Sequence, residues 1–129
     1  MAMFSRLTRP GKLDSIALGL SFACVVHCLA GIWLLAGLAV AGSALLNPAF
    51  HEIGLILASV IAAIALGAGA LRHGARVPLA IGALGITIMA VSLSYHGVQG
   101  SLVTICGVAL LSIGHVLNLR ASQRIKAVH

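Results

Sequence analysis

The stretch that decides the fold runs from residue 13 to residue 41 and reads LDSIALGLSFACVVHCLAGIWLLAGLAVA. Its single formal charge is Asp14, near its start. An apolar helix needs roughly 20 residues to cross a bilayer, and this stretch is longer than that. The apolar region of a secretory signal spans only about 7 to 15 residues. We therefore expect a transmembrane helix here rather than a cleaved signal.

The composition of the whole chain agrees with a membrane location. Of its 129 residues, 60% are hydrophobic and only 8% are charged, which is far from the balance of a soluble domain. Eight basic residues against two acidic ones would suggest nucleic acid in a soluble protein. Here the cations avoid the apolar runs and lie in connections and tails. The composition predicts a protein that contacts the lipid bilayer and no nucleic acid.

Three further apolar runs follow the first, separated by Pro, Gly, Asn and charged residues. We predict spans at about residues 13–41, 53–71, 78–95 and 102–119, within a membrane domain of residues 13–120. Residues 1–12 form a basic lead and residues 121–129 a basic tail. The fold class that follows is an all-α integral membrane protein with four transmembrane helices in a compact bundle. Small residues four apart, Gly19 with Ala23 and Ala63 with Gly67, predict close helix contacts.

The cations provide a test of this topology, because Lys and Arg mark the cytoplasmic side of a membrane protein. Four spans impose one alternation of sides, and all eight cations then fall on the same side. Both termini are therefore predicted to be cytoplasmic. The cations are Arg6, Arg9, Lys12, Arg72, Arg76, Arg120, Arg124 and Lys126.

Reactive side chains cluster at one place in the first span, Cys24-Val25-Val26-His27-Cys28. The two cysteines lie roughly 16 to 22 Å from the inner boundary, near the middle of a core about 30 Å thick. Residues four apart are about 40° apart around a helix, and His27 lies about 60° from Cys24 on the same flank. Thiolates favour soft or borderline ions such as Cu(I), Zn(II) and Hg(II). The pattern favours a metal site, although small buried thiols and a hydrogen-bonded histidine would also explain it.

Other polar residues lie near the ends of the spans. At the outer side, His51, Glu52 and His96 would either capture an incoming cation or anchor the interface. At the inner side, His115 and Asn118 share a face and form either an exit ligand pair or an interhelical hydrogen bond. We interpret Cys106 and Met89 as packing residues and His73 as a solvated loop residue. No nucleophile with a base, phosphate loop or carboxylate pair is present, so the sequence predicts no enzyme.

Three signatures together give the chain a resemblance to the MerC-domain membrane proteins over about residues 12 to 121. They are Cys24-x-x-His27-Cys28, the pair His51-Glu52, and the segment from Gly114 to Arg120 that reads GHVLNLR. The family is named for mercuric ion transport proteins, four-helix inner-membrane carriers in which a first-helix cysteine pair receives Hg(II). Its mercury-resistance members have a Cys-x-x-Cys pair and further cysteines in a cytoplasmic tail, whereas residues 121–129 contain none.

The resemblance implies a multi-pass protein of a bacterial-type inner membrane that carries Hg(II), or another soft or transition metal, into the cytoplasm. Cys24 and Cys28 would take the role of the metal-binding pair, with His27, His51, His96 and His115 as further candidate ligands. The ion is cargo, and no permanently bound cofactor is predicted. A metal-handling protein on either side of the membrane would be a fitting partner, and four short helices are compatible with a homo-oligomer.

Two other functions fit the same residues. The chain would be a membrane haem protein if His27, His51, His96 and His115 supplied axial ligands within the bundle. It would be a sensor or partner subunit without transport activity if the metal bound but did not cross.

Overall fold

The computed structural model describes residues 9, 11–37 and 44–128, and these residues form four α-helices. The helices are α1 (Lys12–Gly37), α2 (Pro48–His73), α3 (Val77–Ser92) and α4 (Gly97–Val128). Three of them are long and apolar enough to cross a membrane, and α3, with 16 residues, is shorter. The protein is therefore an all-helical membrane bundle, as the sequence predicted. Residues 38–41 of the first predicted span lie outside the described residues.

The helix ends follow from local chemistry. The side chain of Asn47 accepts a hydrogen bond from the Ala49 backbone N–H at 3.0 Å, and Pro48 occupies the first turn. Both residues favour a helix start, so α2 begins before the apolar run predicted from Ile53. Gly74 ends α2 in the left-handed conformation, with φ of 69°, which costs glycine little.

The helices alternate in direction, so the chain crosses the bundle four times. The start of α1, the end of α2 and the start of α3 lie beside the segment of α4 around residues 114–119. This end carries every Lys and Arg among the described residues, and we call it the basic end. The basic residues are Arg9, Lys12, Arg72, Arg76, Arg120, Arg124 and Lys126. The last helix continues through the predicted tail as far as Val128.

The side chains are arranged inside out relative to a soluble protein. Phe22, Trp33 and Leu71 are 73%, 78% and 90% exposed, and many other large apolar side chains also face outward. Asp14, His115 and Asn118 are almost completely buried. Apolar residues outside and polar residues inside suit a bundle that is surrounded by lipid.

Glycines set the closest helix contact, between α3 and α4. A Cβ atom on Gly85 would lie 2.7 Å from the Gly107 carbonyl oxygen, and one on Gly114 would lie 2.9 Å from the Pro78 carbonyl oxygen. Small residues let membrane helices approach in this way. The close contacts predicted at Gly19 and Gly67 are wrong, because a Cβ at either position would meet nothing within 4 Å.

Candidate metal centre

The cysteines of α1 lie beside a histidine of α2. Cys28 is completely buried and Cys24 is half-buried. The Cys28 Sγ atom lies 3.7 Å from the Nε2 atom of His51. The sequence predicted His51 near the mouth of the bundle, and the structure brings its ring to the cysteine pair.

A small cavity encloses this site. It measures about 30 Å³, which is enough for a single water molecule or ion. Its walls contain both cysteines and both nearby histidines. The lining residues are Cys24, His27, Cys28, Phe50, His51, Gly54, Met89 and Thr104. We call this space the central cavity. The thioether of Met89, interpreted from the sequence as packing, adds a soft donor atom to the same wall.

His27 has a partner of its own. Its Nε2 atom lies 2.7 Å from the Leu45 carbonyl oxygen, and its ring packs against Phe50 with 5.0 Å between ring centroids. A carbonyl oxygen only accepts hydrogen bonds, so Nε2 must carry the proton. In the neutral ring, Nδ1 is then the nitrogen that remains to bind a metal.

The donors do not form a preassembled multidentate site. Across residues 9, 11–37 and 44–128, no group of three or more His, Cys, Asp or Glu residues is placed to hold a metal ion together. A structural zinc site takes four ligands in tetrahedral geometry. The central cavity therefore suits an ion with fewer protein ligands.

A second space, the outer cavity, opens at the end of the bundle opposite the basic end. It measures about 240 Å³, and His51 and His96 both line it. His51 is shared with the central cavity. His96 is exposed, and so is Glu52, which lines none of the three cavities described here.

A third space, the inner cavity, extends from the central cavity toward the basic end. It measures about 300 Å³, and its lining includes Cys24 and His27 at one end and Ala17 and His115 at the other. It shares Cys24, His27, Phe50, Gly54 and Met89 with the central cavity. The three spaces thus follow one another through the bundle.

Near the basic end, His115 and Asn118 of α4 meet Asp14 of α1. The Nδ1 atom of His115 lies 2.7 Å from Asp14 Oδ1, and the Asn118 amide donates to both carboxylate oxygens at 3.1 and 2.9 Å. The sequence pointed to His115 and Asn118 as a pair, and the structure gives both of them the same carboxylate partner. Asp14 was missed because a charge at the start of a span is usually a boundary residue.

His73 of α2 joins this group. The His73 Nε2 atom lies 2.8 Å from Asn118 Oδ1, and its Nδ1 atom accepts from the Ala75 backbone N–H at 3.1 Å. The interpretation of His73 as a solvated loop residue is therefore wrong. Its place at the last turn of α2, beside Asn118, keeps it half-buried. Cys106, in contrast, is exposed on α4 and lines none of the three cavities.

Comparison with known families places the chain in a membrane-protein family. A family model described as MerC mercury resistance protein matches residues 14–120, which include α2 and α3 completely and most of α1 and α4. No similar sequence was found among curated proteins and no similar fold among solved structures.

Proposed function

The chain is a member of the MerC mercury resistance protein family, and from this membership we propose that it carries a soft metal cation, Hg(II), across the membrane. Cys24 and Cys28 are the residues that bind the ion on its way. The observation that carries the proposal is the placement of this pair. Both thiols line a cavity of about 30 Å³ together with His51, and that cavity adjoins larger ones on either side.

The direction of transport follows from the charges. The basic end faces the cytoplasm, because Lys and Arg accumulate on the cytoplasmic side of inner-membrane proteins. The ion then enters through the outer cavity, where His96 and His51 offer borderline nitrogen donors. It leaves toward the basic end.

The donor set favours a soft ion over zinc. Two thiolates suffice for an ion that accepts linear coordination, and sulfur ligands prefer soft metals. Since no three or more His, Cys, Asp or Glu side chains among the described residues are placed to hold one ion together, a tetrahedral zinc site has too few ligands here. An ion with two ligands is also easier to release, because only two bonds have to be exchanged.

His51 assists the capture of the ion. A thiol that binds a metal loses its proton, because the thiolate is the ligand. The S–H bond of Cys28 breaks, a bond from sulfur to the metal forms, and the proton moves to the Nε2 atom of His51, 3.7 Å away. The thiol proton of Cys24 leaves with the ligands that the incoming ion gives up as its two bonds to sulfur form. His51 thereby takes up the proton that would otherwise compete with the cation for the sulfur.

A binding experiment tests the site directly. Cys106→Ser leaves Cys24 and Cys28 as the only thiols of a chain that has three cysteines. The purified variant should bind one Hg(II) per chain and develop the near-ultraviolet absorption of mercury thiolate bonds. The same spectrum tests the haem alternative, which requires a haem absorption band in the protein as purified. Failure of the variant to bind Hg(II) would contradict the proposed site.

His51→Gln tests the proton transfer. We expect capture of Hg(II) to slow by roughly 10- to 100-fold, the usual effect of losing a residue that supports a metal ligand. The final stoichiometry should stay the same, because both thiols remain. Stopped-flow absorption at the mercury thiolate band measures the rate. His96→Gln is the matched control, with a smaller effect, since His96 is exposed and does not line the central cavity. Equal rates in His51→Gln and the unmodified chain would exclude the role of His51.

A further inference from the structure

The buried group at the basic end has one polar atom without a partner. His115 is completely buried, and its Nε2 atom has no hydrogen-bond partner among the described residues. Buried polar atoms are nearly always paired, so an exception calls for an explanation. His115 also lines the inner cavity, which reaches Cys24.

The hydrogen bond to Asp14 shows which nitrogen of this ring carries a proton. Asp14 in its ionised form only accepts hydrogen bonds, so the short contact of 2.7 Å places the proton of His115 on Nδ1. In the neutral ring Nε2 then carries the lone pair and is a metal donor. The rest of the group is consistent with this assignment, because the Asn118 amide donates to Asp14 and its oxygen accepts from His73.

The arrangement is that of a metal-binding histidine. Such residues usually donate their second ring N–H to a carboxylate, which orients the ring and makes the other nitrogen a better ligand. Asp14 also brings a negative charge into the bundle, and no Lys or Arg among the described residues forms a salt bridge with it. A buried carboxylate whose partners are neutral hydrogen-bond donors favours the arrival of a cation.

We propose that the Nε2 atom of His115 is a second metal-binding station, oriented by Asp14, for divalent transition-metal ions. His115 lines the inner cavity of about 300 Å³, which is large enough to admit an ion and its remaining ligands. A single protein ligand binds weakly, which suits passage of an ion rather than storage. The place of this station in a transport route rests on the proposed function, whereas its affinity for metal does not.

The binding experiment uses Cu(II), which binds imidazole most strongly among the first-row divalent ions. The full chain carrying Cys24→Ser, Cys28→Ser and Cys106→Ser is reconstituted in lipid nanodiscs, because copper would oxidise free thiols. Equilibrium dialysis gives the stoichiometry, and electron paramagnetic resonance gives the coupling of copper to nitrogen. Adding His115→Gln should remove one copper equivalent with its nitrogen-coupled signal. Adding Thr87→Ala, at an exposed position of α3 that lines none of the three cavities, should leave that equivalent in place.

Asp14→Asn tests whether Asp14 orients the His115 ring for metal binding or only supports the fold. It keeps the size of the side chain and should weaken Cu(II) binding at His115 by roughly 10- to 100-fold. Both His115→Gln and Asp14→Asn should keep the helical circular dichroism and the unfolding transition of the parent chain, which shows that the bundle is intact. A copper stoichiometry and affinity unchanged by His115→Gln would overturn the proposal.

The outcomes also distinguish this site from the cysteine site. If the cysteine-containing chain fails to bind Hg(II) while the thiol-free chain loses one copper ion with His115→Gln, the proposed function fails and the station stands. If Hg(II) binding depends on the cysteines while His115→Gln leaves the copper stoichiometry unchanged, the metal station at His115 is excluded and the proposed function stands.

Discussion

A chain with Cys24→Ser and Cys28→Ser is expected to lose Hg(II) uptake down to the level of protein-free vesicles. Serine keeps the size of the side chain, but a hydroxyl oxygen is a hard donor that binds a soft ion poorly. Both thiols line the central cavity, which adjoins the cavities on either side of it. Without a ligand there, the ion would have to enter the apolar core of the bundle. Moving a charge into such an environment costs several kcal/mol. Proteoliposomes loaded with a soluble thiol, which traps the ion inside, measure the uptake.

Cys106→Ser provides the control for this experiment. It removes a thiol from a membrane helix, but Cys106 is exposed and lines none of the three cavities. Uptake should therefore stay close to that of the unmodified chain. Undiminished uptake by the double serine variant would exclude the cysteine pair from the route. If the unmodified chain binds Hg(II) at the cysteines but takes up none, the protein is a sensor or partner subunit.

Gly85→Ala is expected to lower the free energy of unfolding of the bundle by about 1–3 kcal/mol, the usual cost of overpacking. The added methyl group would lie 2.7 Å from both the Gly107 carbonyl oxygen and the Leu111 backbone nitrogen. Backbone atoms cannot rotate away as a side chain can, so α3 must move away from α4. Unfolding in mixed micelles, followed by circular dichroism, measures the change.

Gly67→Ala is the matched control for this prediction. Gly67 also lies within a membrane helix, but a methyl group there meets nothing within 4 Å. Alanine favours a helix over glycine by about 1 kcal/mol, so this variant should be neutral or slightly more stable. If the two variants unfold alike, the close contact between α3 and α4 is wrong.

The same contact links stability to the metal centre. A methyl group on Gly107 would lie 2.6 Å from Met89 Cγ and 2.8 Å from the Gly85 carbonyl oxygen. Met89 is buried and lines both the central and the inner cavity. The small residues at the contact between α3 and α4 thus hold a wall of the proposed metal route in place, so Gly85→Ala should also weaken Hg(II) binding.

The sequence predicted the architecture well because the signals for it are local. Hydropathy over a window of about 20 residues identifies a membrane helix without reference to any other part of the chain. Asn47, Pro48 and Gly74 act on the backbone next to them. The prediction that all Lys and Arg residues lie on one side of the membrane required only the number of spans. All described cations do lie at one end of the bundle.

The sequence predicted the candidate site only in part. Cys24 and Cys28 could be recognised because one turn of helix brings them to one face. The approach of His51 to Cys28 depends on how α1 and α2 are rotated about their axes relative to each other. Hydropathy does not predict this rotation for a helix that is apolar on every face. The heptad spacing of Gly100, Gly107 and Gly114 was a signal for the face of α4 that meets α3.

What the sequence alone determined is therefore the class of the protein, its four helices and the cysteine pair. The tertiary structure decided which polar residues meet. Asp14 and His115 are 101 residues apart in the chain, yet their side chains are 2.7 Å apart, and His73 and Asn118 meet in the same group. Contacts of this kind depend on the register and rotation of whole helices, which close packing at glycines fixes only after the helices have formed and associated.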